Sequence, residues 1–536
     1  MRKKKITLLV SVTVVLVLVF YTADMVRNWN ELTGNRKETE EKKETVSLSW
    51  YINYSWFDGT WGNNLVSEKI TEDTGVNIDF VVPKGDESEK LNSLIESDSL
   101  PDLITLGWWE PENYKMISQG QVYALNQLAE KYDVAFFEQA KEDTVKWYTK
   151  ADGNIYGYPN YSCTYEEYLN DSDIYSNQNF LVRKDIYQAI GSPDMTTPEG
   201  FSSAVKKAAE LFPEVDGEPL IPIGADEFTD NGNNSFDAYL QNFLAVPYEK
   251  DGKYYDRNTD EEYLKWLKVF RQLGEEGYLK NEIFVDKRSQ LEEKIRKGRY
   301  FCLFYQSTDI EDQENLIYSE NPERIYIAVE GPKNSRGDNP VLPVRGINGW
   351  TVTYISKNCE NPEKAIQLMT YMLSEEGQKT IYYGVEGPMY EEKDGIIQVK
   401  EEVKELLNTD RKAYDEQYGA DDTYWMLKDS ITETKWKDNN FFCIDAMQQW
   451  TRPYLAYTGQ YDMNFEEDTR SAAIYSRLQK IWSETLPRLL LAESDQEFDR
   501  ILQEYQEIRE ENGYGEFCRT ADKIIQKNKE RLGIQE

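Results

Sequence analysis

Residues 46–106 read VSLSWYINYSWFDGTWGNNLVSEKITEDTGVNIDFVVPKGDESEKLNSLIESDSLPDLITL. Short apolar runs alternate here with segments whose apolar residues recur at helical spacing; the runs are 46–53, 76–82 and 103–106, and the helical segments are 63–74 and 89–96. Strands that alternate with helices in this way form βαβαβ units, in which helices connect parallel strands. The stretch therefore predicts an α/β fold built on a mostly parallel sheet.

The same alternation continues along the rest of the chain. Further strands are predicted at 180–183, 300–305, 325–329 and 350–355. Three helix starts are indicated by the capping sequences Thr259-x-x-Glu262, Asn361-Pro362 and Ser494-x-x-Glu497. Trp266 and Trp482 lie on helical apolar stripes and are predicted to be core residues. A chain of 536 residues exceeds what one hydrophobic core normally serves, so at least two domains are expected.

Composition excludes several classes of function. The chain has 61 Lys and Arg against 97 Asp and Glu, a formal charge of −36, and it contains no histidine. Without imidazole, Ser-His-Asp and Cys-His mechanisms and histidine-based metal sites are impossible. The net negative charge opposes binding to a phosphate backbone, so no nucleic acid partner is expected.

The N-terminus predicts export. Residues 1–5 read MRKKK, and residues 6–21 form an uncharged apolar run, ITLLVSVTVVLVLVFY. A basic segment before an apolar run is typical of an export signal, with the basic end kept in the cytoplasm. Residues 1–26 are therefore predicted to be an export signal or an uncleaved membrane anchor. The anchor is favoured because Tyr21-Thr22-Ala23 is a poor cleavage site. Residues 27–45 are polar and form a predicted tether. Secretion after cleavage is the alternative.

Four later segments carry a family resemblance when taken in order. They are LNSLIESDSLPDLITL at 91–106, KADGNIYGYP at 150–159, FLVRKD at 180–185 and NPEKAIQLMTYMLSEEGQKTIYYGVEG at 361–387. Each segment alone is weak evidence of a family. The four in this order, behind an export signal, resemble the extracellular solute-binding proteins of carbohydrate ABC importers, in their larger Gram-positive form. The absence of a cysteine before Cys163 departs from the lipoprotein members of that family.

The resemblance implies a two-lobed, periplasmic-binding-protein-like fold. Each lobe would be a mostly parallel sheet flanked by helices, and ligand would bind in the cleft between the lobes. By analogy, the first lobe takes residues 46–155 and 285–325, and the second takes 156–284 and 326–536. The implied function is non-catalytic capture of a neutral oligosaccharide at the outer face of the membrane. The implied partners are ABC permease subunits, and the protein is expected to be a monomer.

Ligand contacts are predicted where polar and aromatic residues follow strands. Trp56, Asp58 and Trp61 follow the first strand, and Trp108 and Glu110 follow the third. The flat C–H faces of sugar rings pack on aromatic rings, and sugar hydroxyls bond to carboxylates and amides. The alternative for each aromatic residue is packing in the core.

A second group of candidates is expected across the cleft. Tyr158 and Asn160 lie at the crossover, Tyr305 and Gln306 end a strand, and Trp350 follows Gly349. Hinge or core positions are the alternative for these residues. Arg345 is predicted to be a solvated surface arginine, with binding of an anionic group as the alternative.

Two other functions stay open at this stage. An extracellular glycoside hydrolase needs only two carboxylates and no histidine, and a related binding protein could take peptides. No GxxxxGK[ST] or GxGxxG motif is present, so ATP hydrolysis belongs to a partner; no cofactor and no metal are predicted.

Overall fold

The computed structural model describes residues 45–433, 435–436, 443–465 and 469–534. The predicted signal or anchor at 1–26 lies outside these residues, as does the tether at 27–45 except for its last residue. Among the described helices, none has the length and apolar character needed to cross a bilayer.

Nine strands form the two larger sheets. They are β1 Val46–Ile52, β2 Val76–Val81, β3 Leu103–Gly107, β4 Gly157–Pro159, β5 Gln178–Arg183, β6 Ile221–Gly224, β7 Tyr300–Gln306, β8 Tyr326–Ala328 and β9 Thr351–Ile355. The first sheet has the order β2-β1-β3-β9-β4, and the second has the order β8-β5-β7-β6. The predicted strands are confirmed, with ends that differ by one or two residues.

Helices occupy most of the remaining chain. They are Leu65–Thr74, Glu87–Glu96, Glu112–Ser118, Leu125–Tyr132, Phe136–Gln139, Glu142–Tyr148, Tyr165–Asn170, Lys184–Ala189, Pro198–Leu211, Leu240–Phe243, Glu261–Glu275, Arg288–Arg296, Glu311–Glu320, Pro362–Leu373, Glu375–Tyr383, Glu401–Thr409, Arg411–Gln417, Ser430–Glu433, Cys443–Thr451, Thr469–Leu490, Asp495–Glu511 and Tyr514–Leu532. The α/β fold class is thereby confirmed.

The strand directions correct one prediction. β1 and β3 are parallel, but β9 runs antiparallel to both β3 and β4. In the second sheet β6 and β7 are parallel, whereas β5 is antiparallel to both β7 and β8. Both sheets are therefore mixed rather than mostly parallel. Apolar runs indicate that a strand is buried on both faces, which is common in parallel sheets but does not decide the direction of the strand.

Sheet membership also differs from the predicted division of the chain. β7 falls in the 285–325 segment assigned to the first lobe, yet it pairs with β5 and β6 of the second sheet. β4 and β9 fall in segments assigned to the second lobe, yet both lie in the first sheet. The sheet pairing of these strands therefore differs from the expected division. Residues 47–536 cluster as one unit, and their division into lobes stays a proposal.

Of the three predicted helix caps, only Ser494 forms as predicted; Asn361 precedes the predicted proline but makes no side-chain cap hydrogen bond, and the third cap is displaced. Ser494 Oγ accepts a hydrogen bond from the Glu497 N–H at 3.2 Å. The box predicted at Thr259 is instead built one residue later, because the Thr259 hydroxyl bonds to the Asp256 carboxylate at 2.7 Å. The Asp260 carboxylate caps the helix by accepting from the Glu262 N–H at 3.0 Å. Trp266 on this helix and Trp482 are both buried in the core beside the second sheet, as predicted.

A buried polar contact joins three strands of the first sheet. The Trp50 Nε1–H donates to Thr105 Oγ1 at 2.8 Å, and Thr105 Oγ1 lies 2.8 Å from Thr353 Oγ1. All three residues are fully buried. Because an unsatisfied buried polar group is costly, these bonds favour the arrangement in which β9 lies beside β3. Trp350, directly before β9, is thereby fixed at the edge of the sheet.

Gly349 permits the close approach that brings Trp350 into place. Its φ is +68°, and a Cβ there would lie 1.9 Å from the Asn160 carbonyl oxygen. No side chain fits such a gap, so the turn before β9 requires glycine.

Gly349→Ala is therefore expected to lower the free energy of unfolding. Gly337→Ala is a matched control, because Gly337 has a φ of +73° but no atom within 4 Å of an added Cβ. Both variants incur the cost of a left-handed alanine, and Gly349→Ala incurs in addition an overpacking cost of about 1–3 kcal/mol. Urea unfolding followed by tryptophan fluorescence measures both. Equal losses in the two variants would contradict the prediction.

Candidate ligand-binding site

A cavity of about 2830 Å³ is lined by residues that follow strands of both sheets. Residues 53–58 follow β1, residues 108–113 follow β3, Asp226 and Glu227 follow β6, and Asp309 follows β7. In open α/β sheets, ligands bind outside the carboxyl ends of strands. The position of the cavity is therefore that of a ligand site.

Tyr54, Trp56, Trp350 and Trp425 form an aromatic platform in this cavity. The Trp350 and Trp425 ring centroids lie 4.6 Å apart, and the Trp56 ring is parallel to that of Trp350 at 6.1 Å. Tyr54 packs against all three. Trp56 remains 46% exposed within the cavity. A large exposed indole that is held by neighbouring rings offers a rigid apolar surface to a ligand.

Six of the ten predicted ligand contacts line the cavity. They are Trp56, Asp58, Trp108, Glu110, Gln306 and Trp350. The structure brings these residues around one space, and their contact with a ligand stays a prediction. Trp109, 48% exposed, adds a second exposed indole; its ring is perpendicular to that of Trp108 at 6.0 Å.

Tyr158 and Asn160 do not line the cavity, and both are buried. The Tyr158 hydroxyl accepts a hydrogen bond from the Lys141 N–H at 2.9 Å. Asn160 Oδ1 accepts from the Thr351 N–H at 2.7 Å, and its Nδ2 donates to the Trp425 carbonyl at 3.0 Å. The Asn160 side chain is therefore committed to the backbone at the base of the platform, and its contact with a ligand stays a prediction.

Trp61 and Tyr305 also lie away from the cavity lining. The Trp61 Nε1–H donates to Thr71 Oγ1 at 2.9 Å, and its ring packs 4.8 Å from that of Tyr424. Tyr305 is 1% exposed and belongs to the core beside the second sheet. Its neighbour Gln306 is the residue of β7 that reaches the cavity. The one-residue difference follows from alternation, because successive side chains of a strand point to opposite faces.

Glu110 is a half-buried carboxyl group in the cavity wall. Its Oε1 accepts from the Gly107 N–H at 2.8 Å, and its Oε2 accepts from Asn53 Nδ2 at 2.5 Å. The Tyr51 hydroxyl in turn donates to Asn53 Oδ1 at 2.9 Å. Burial raises the pKa of Glu110 to about 7, although its two hydrogen bonds act in the opposite direction.

The sequence analysis missed the ion pairs that line the cavity. Lys428 Nζ lies 2.7 Å from Asp422 Oδ1, and Arg411 Nη1 lies 2.7 Å from Asp421 Oδ2. Burial opposes ionisation of Asp422, yet the positive charge of Lys428 lowers its pKa to about 2. Such pairs join residues that carry no local pattern, and only the folded chain brings them to one wall.

Trp425 is the platform member that the sequence analysis did not find. It lies in the short 3₁₀ helix Trp425–Leu427, outside any predicted strand or amphipathic helix. A cluster of aromatic residues in the segment DDTYWML was the one signal that could have indicated it.

Metal ligation is not indicated in the part of the chain that the structure describes. There, no three Cys, Asp or Glu side chains are grouped so that they could hold an ion.

Comparison with known proteins places the chain in a family. It belongs to the bacterial extracellular solute-binding proteins, which match it over residues 66–387. It is 22% identical to lipoprotein LipO of Bacillus subtilis over 334 residues, which is 59% of this chain and 62% of LipO. It is 24% identical to the fructooligosaccharide ABC transporter substrate-binding protein FusA of Streptococcus pneumoniae, over 56% of each chain. The alignments thus span about three fifths of these two relatives.

Solved structures share the fold over a larger part of the chain. The alginate-binding protein AlgQ2 superposes with a TM-score of 0.70 at 18% identity, covering 90% of this chain and 98% of AlgQ2. FusA of S. pneumoniae in complex with kestose superposes with a TM-score of 0.69 at 18% identity, covering 90% of this chain and 100% of FusA. The periplasmic-binding-protein-like fold is confirmed by these superpositions.

The raised pKa of Glu110 predicts a pH dependence of stability. The unfolded carboxyl group, near its ordinary value of 4.5, releases its proton before the folded one, whose pKa is about 7. The free energy of unfolding should therefore fall as the pH rises between these two values. Glu110→Gln removes this contribution, so the variant should gain stability relative to wild type between about pH 5 and about pH 8. Urea unfolding midpoints of both proteins at the two pH values test this prediction. A difference between variant and wild type that is the same at both pH values would refute it.

Proposed function

We propose that the protein is the substrate-binding component of an ABC importer and captures an oligosaccharide at the outer face of the cell. The observation that carries this proposal is the aromatic platform, which lies beside carboxylates and amides in a cavity at the ends of strands. Stacking surfaces next to hydrogen-bonding oxygen and nitrogen atoms are what a sugar ring requires.

The size of the cavity supports a ligand of several rings. Sites for single small molecules usually enclose about 300–1,000 Å³, and this cavity is about 2830 Å³. The exposed rings of Trp56 and Trp109 provide two separate stacking surfaces. FusA and AlgQ2 bear names that specify fructooligosaccharide and alginate, both of which are carbohydrates.

Each sheet is proposed to belong to one lobe. The lobe of the first sheet would contain β1, β2, β3, β4 and β9, and the lobe of the second would contain β5 to β8. The cavity receives residues from both, as closure around a ligand requires. Small-angle X-ray scattering should give the mass of a monomer and a smaller radius of gyration when ligand is present. An unchanged radius at saturation would reject closure.

Anchoring by residues 1–26 is also proposed. Their basic start and apolar run support retention at the membrane rather than release. Fractionation of expressing cells, followed by N-terminal sequencing of the mature protein, decides between the two. Protein in the medium that starts beyond residue 26 would reject the anchor.

Binding is proposed to occur without catalysis. FusA is named as an ABC transporter substrate-binding protein, which supports binding without catalysis. The alternative of a glycoside hydrolase predicts the release of reducing ends from glycans. Incubation of the protein with each glycan that it binds, followed by a reducing-end assay, should detect no release. Sustained release that scales with protein concentration would establish hydrolysis instead.

Trp56→Ala is expected to weaken binding of the best glycan in a panel of neutral oligosaccharides, including kestose. The expected loss is about tenfold or more, because a stacking surface is removed. Phe137→Ala is the control, since Phe137 is 41% exposed and lies outside the cavity lining. Isothermal calorimetry measures both variants, and thermal unfolding confirms that each is folded. Unchanged affinity in Trp56→Ala would remove Trp56 from the site.

A further inference from the structure

Arg345 lies in the cavity wall with an unsatisfied guanidinium group. It follows the short strand Leu342–Pro343 and precedes the turn that leads to Trp350. Its Nη1 is buried and has no hydrogen-bond partner among the described residues. Arg345 is therefore half-buried and its Nη1 is enclosed, which differs from the expected solvated surface arginine.

Three other cations of the cavity have carboxylate partners. Lys428 lies 2.7 Å from Asp422, Arg288 lies 2.7 Å from Glu292, and Arg411 lies 2.7 Å from Asp421. Within the described part of the chain, no carboxylate oxygen lies within ion-pair distance of Arg345. Asp422 contributes to the electrostatic environment of Arg345, but its carboxylate is bonded to Lys428 and also accepts from the Tyr161 hydroxyl at 3.3 Å.

The Tyr161 ring holds Arg345 next to the aromatic platform. The guanidinium carbon lies 3.9 Å from the Tyr161 ring centroid, and the same ring lies 6.4 Å from that of Trp350. A cation–π contact stabilises the charge, but it supplies no oxygen acceptor for Nη1. A sugar stacked on the platform therefore lies beside a cation that no carboxylate of the described residues neutralises.

The chemistry of this group selects one class of ligand. A guanidinium is a planar fork that matches a carboxylate in a two-bond pairing, and burial makes such a charge-assisted pair stronger. The cavity wall also carries many carboxylates, which repel a ligand of high negative charge. A ligand with an isolated carboxylate can pair with the guanidinium and is little repelled by the carboxylates of the wall. A polyanion can also pair with the guanidinium, but the carboxylates of the wall repel it.

We infer that Arg345 binds the carboxylate of an acidic sugar residue, so that the captured oligosaccharide carries a hexuronate or a sialic acid. This rests on the proposed function and sharpens it, since a neutral ligand was expected from the sequence. The platform binds the sugar rings, and Arg345 distinguishes the acidic residue from its neutral counterpart.

The first test compares matched glycans on the wild-type protein by isothermal calorimetry. Sialyllactose and an aldobiouronic acid, each with a single carboxylate, are each compared with their own methyl ester. The acidic member of at least one pair should bind about tenfold or more tightly than its neutral partner, and added salt should reduce that difference. The pair that responds identifies the source of the carboxylate.

The second test removes the guanidinium group of Arg345. Arg345→Gln should abolish the preference for the acidic glycan, measured as the ratio of the two dissociation constants in the same variant, and Arg345→Lys should restore part of that preference because it keeps the charge. Arg336→Gln is the control, since Arg336 is exposed and lies outside the cavity lining. If Arg345→Gln does not fold, Arg345→Lys and the wild-type comparison of acid with ester decide the question.

The possible outcomes separate this inference from the proposed function. If neutral glycans bind and neither acidic partner binds more tightly, the inference is overturned and the proposed function stands. Acid preference that survives in Arg345→Gln overturns the assignment to Arg345. If no acidic glycan and no member of the neutral panel binds, both the inference and the proposed function are overturned.

Discussion

The binding platform depends on the hydrogen bonds of one buried amide residue, Asn160. Its backbone pairs with the chain at Trp350 and Thr351, its Oδ1 accepts from the Thr351 N–H, and its Nδ2 holds the Trp425 carbonyl. Three distant segments of the chain meet at this residue. Since each bond is buried, losing one leaves a polar group without water. The position of both indoles, and hence the shape of the cavity wall, follows from this constraint.

The sequence was sufficient to predict the elements but not their arrangement. The apolar runs at β1, β2 and β3 are local signals, and each predicted strand was found. Hydropathy does not specify the sheet that a buried strand joins. β7 is buried along nearly its whole length, and its apolar side chains would be equally well buried in either sheet. The direction of β9 was equally hidden, because antiparallel and parallel neighbours bury the same side chains.

The same limit explains the candidate site. Trp56, Trp108, Glu110 and Trp350 could be predicted because they adjoin strands, and ligand sites form where strands end. Trp425 and the guanidinium of Arg345 reach the cavity through loops and turns, so no spacing indicates them. The ion pairs Lys428–Asp422 and Arg411–Asp421 also show that the net charge of the chain does not describe the cavity wall. The chain is strongly acidic, yet this wall contains Arg345, a cation without an ion-pair partner among the described residues.

The contact between Thr105 and Thr353, which joins residues 248 positions apart, has a consequence for how the protein folds. A chain synthesised from its N-terminus completes the second sheet at β8 before β9 exists to cover the edge of β3. Until then that edge presents unpaired backbone groups, which favour association with other chains. Contacts of such long range also slow folding. We therefore expect the first sheet to assemble more slowly than the second and to be more open to aggregation, because it requires β9, the last of the nine strands along the chain.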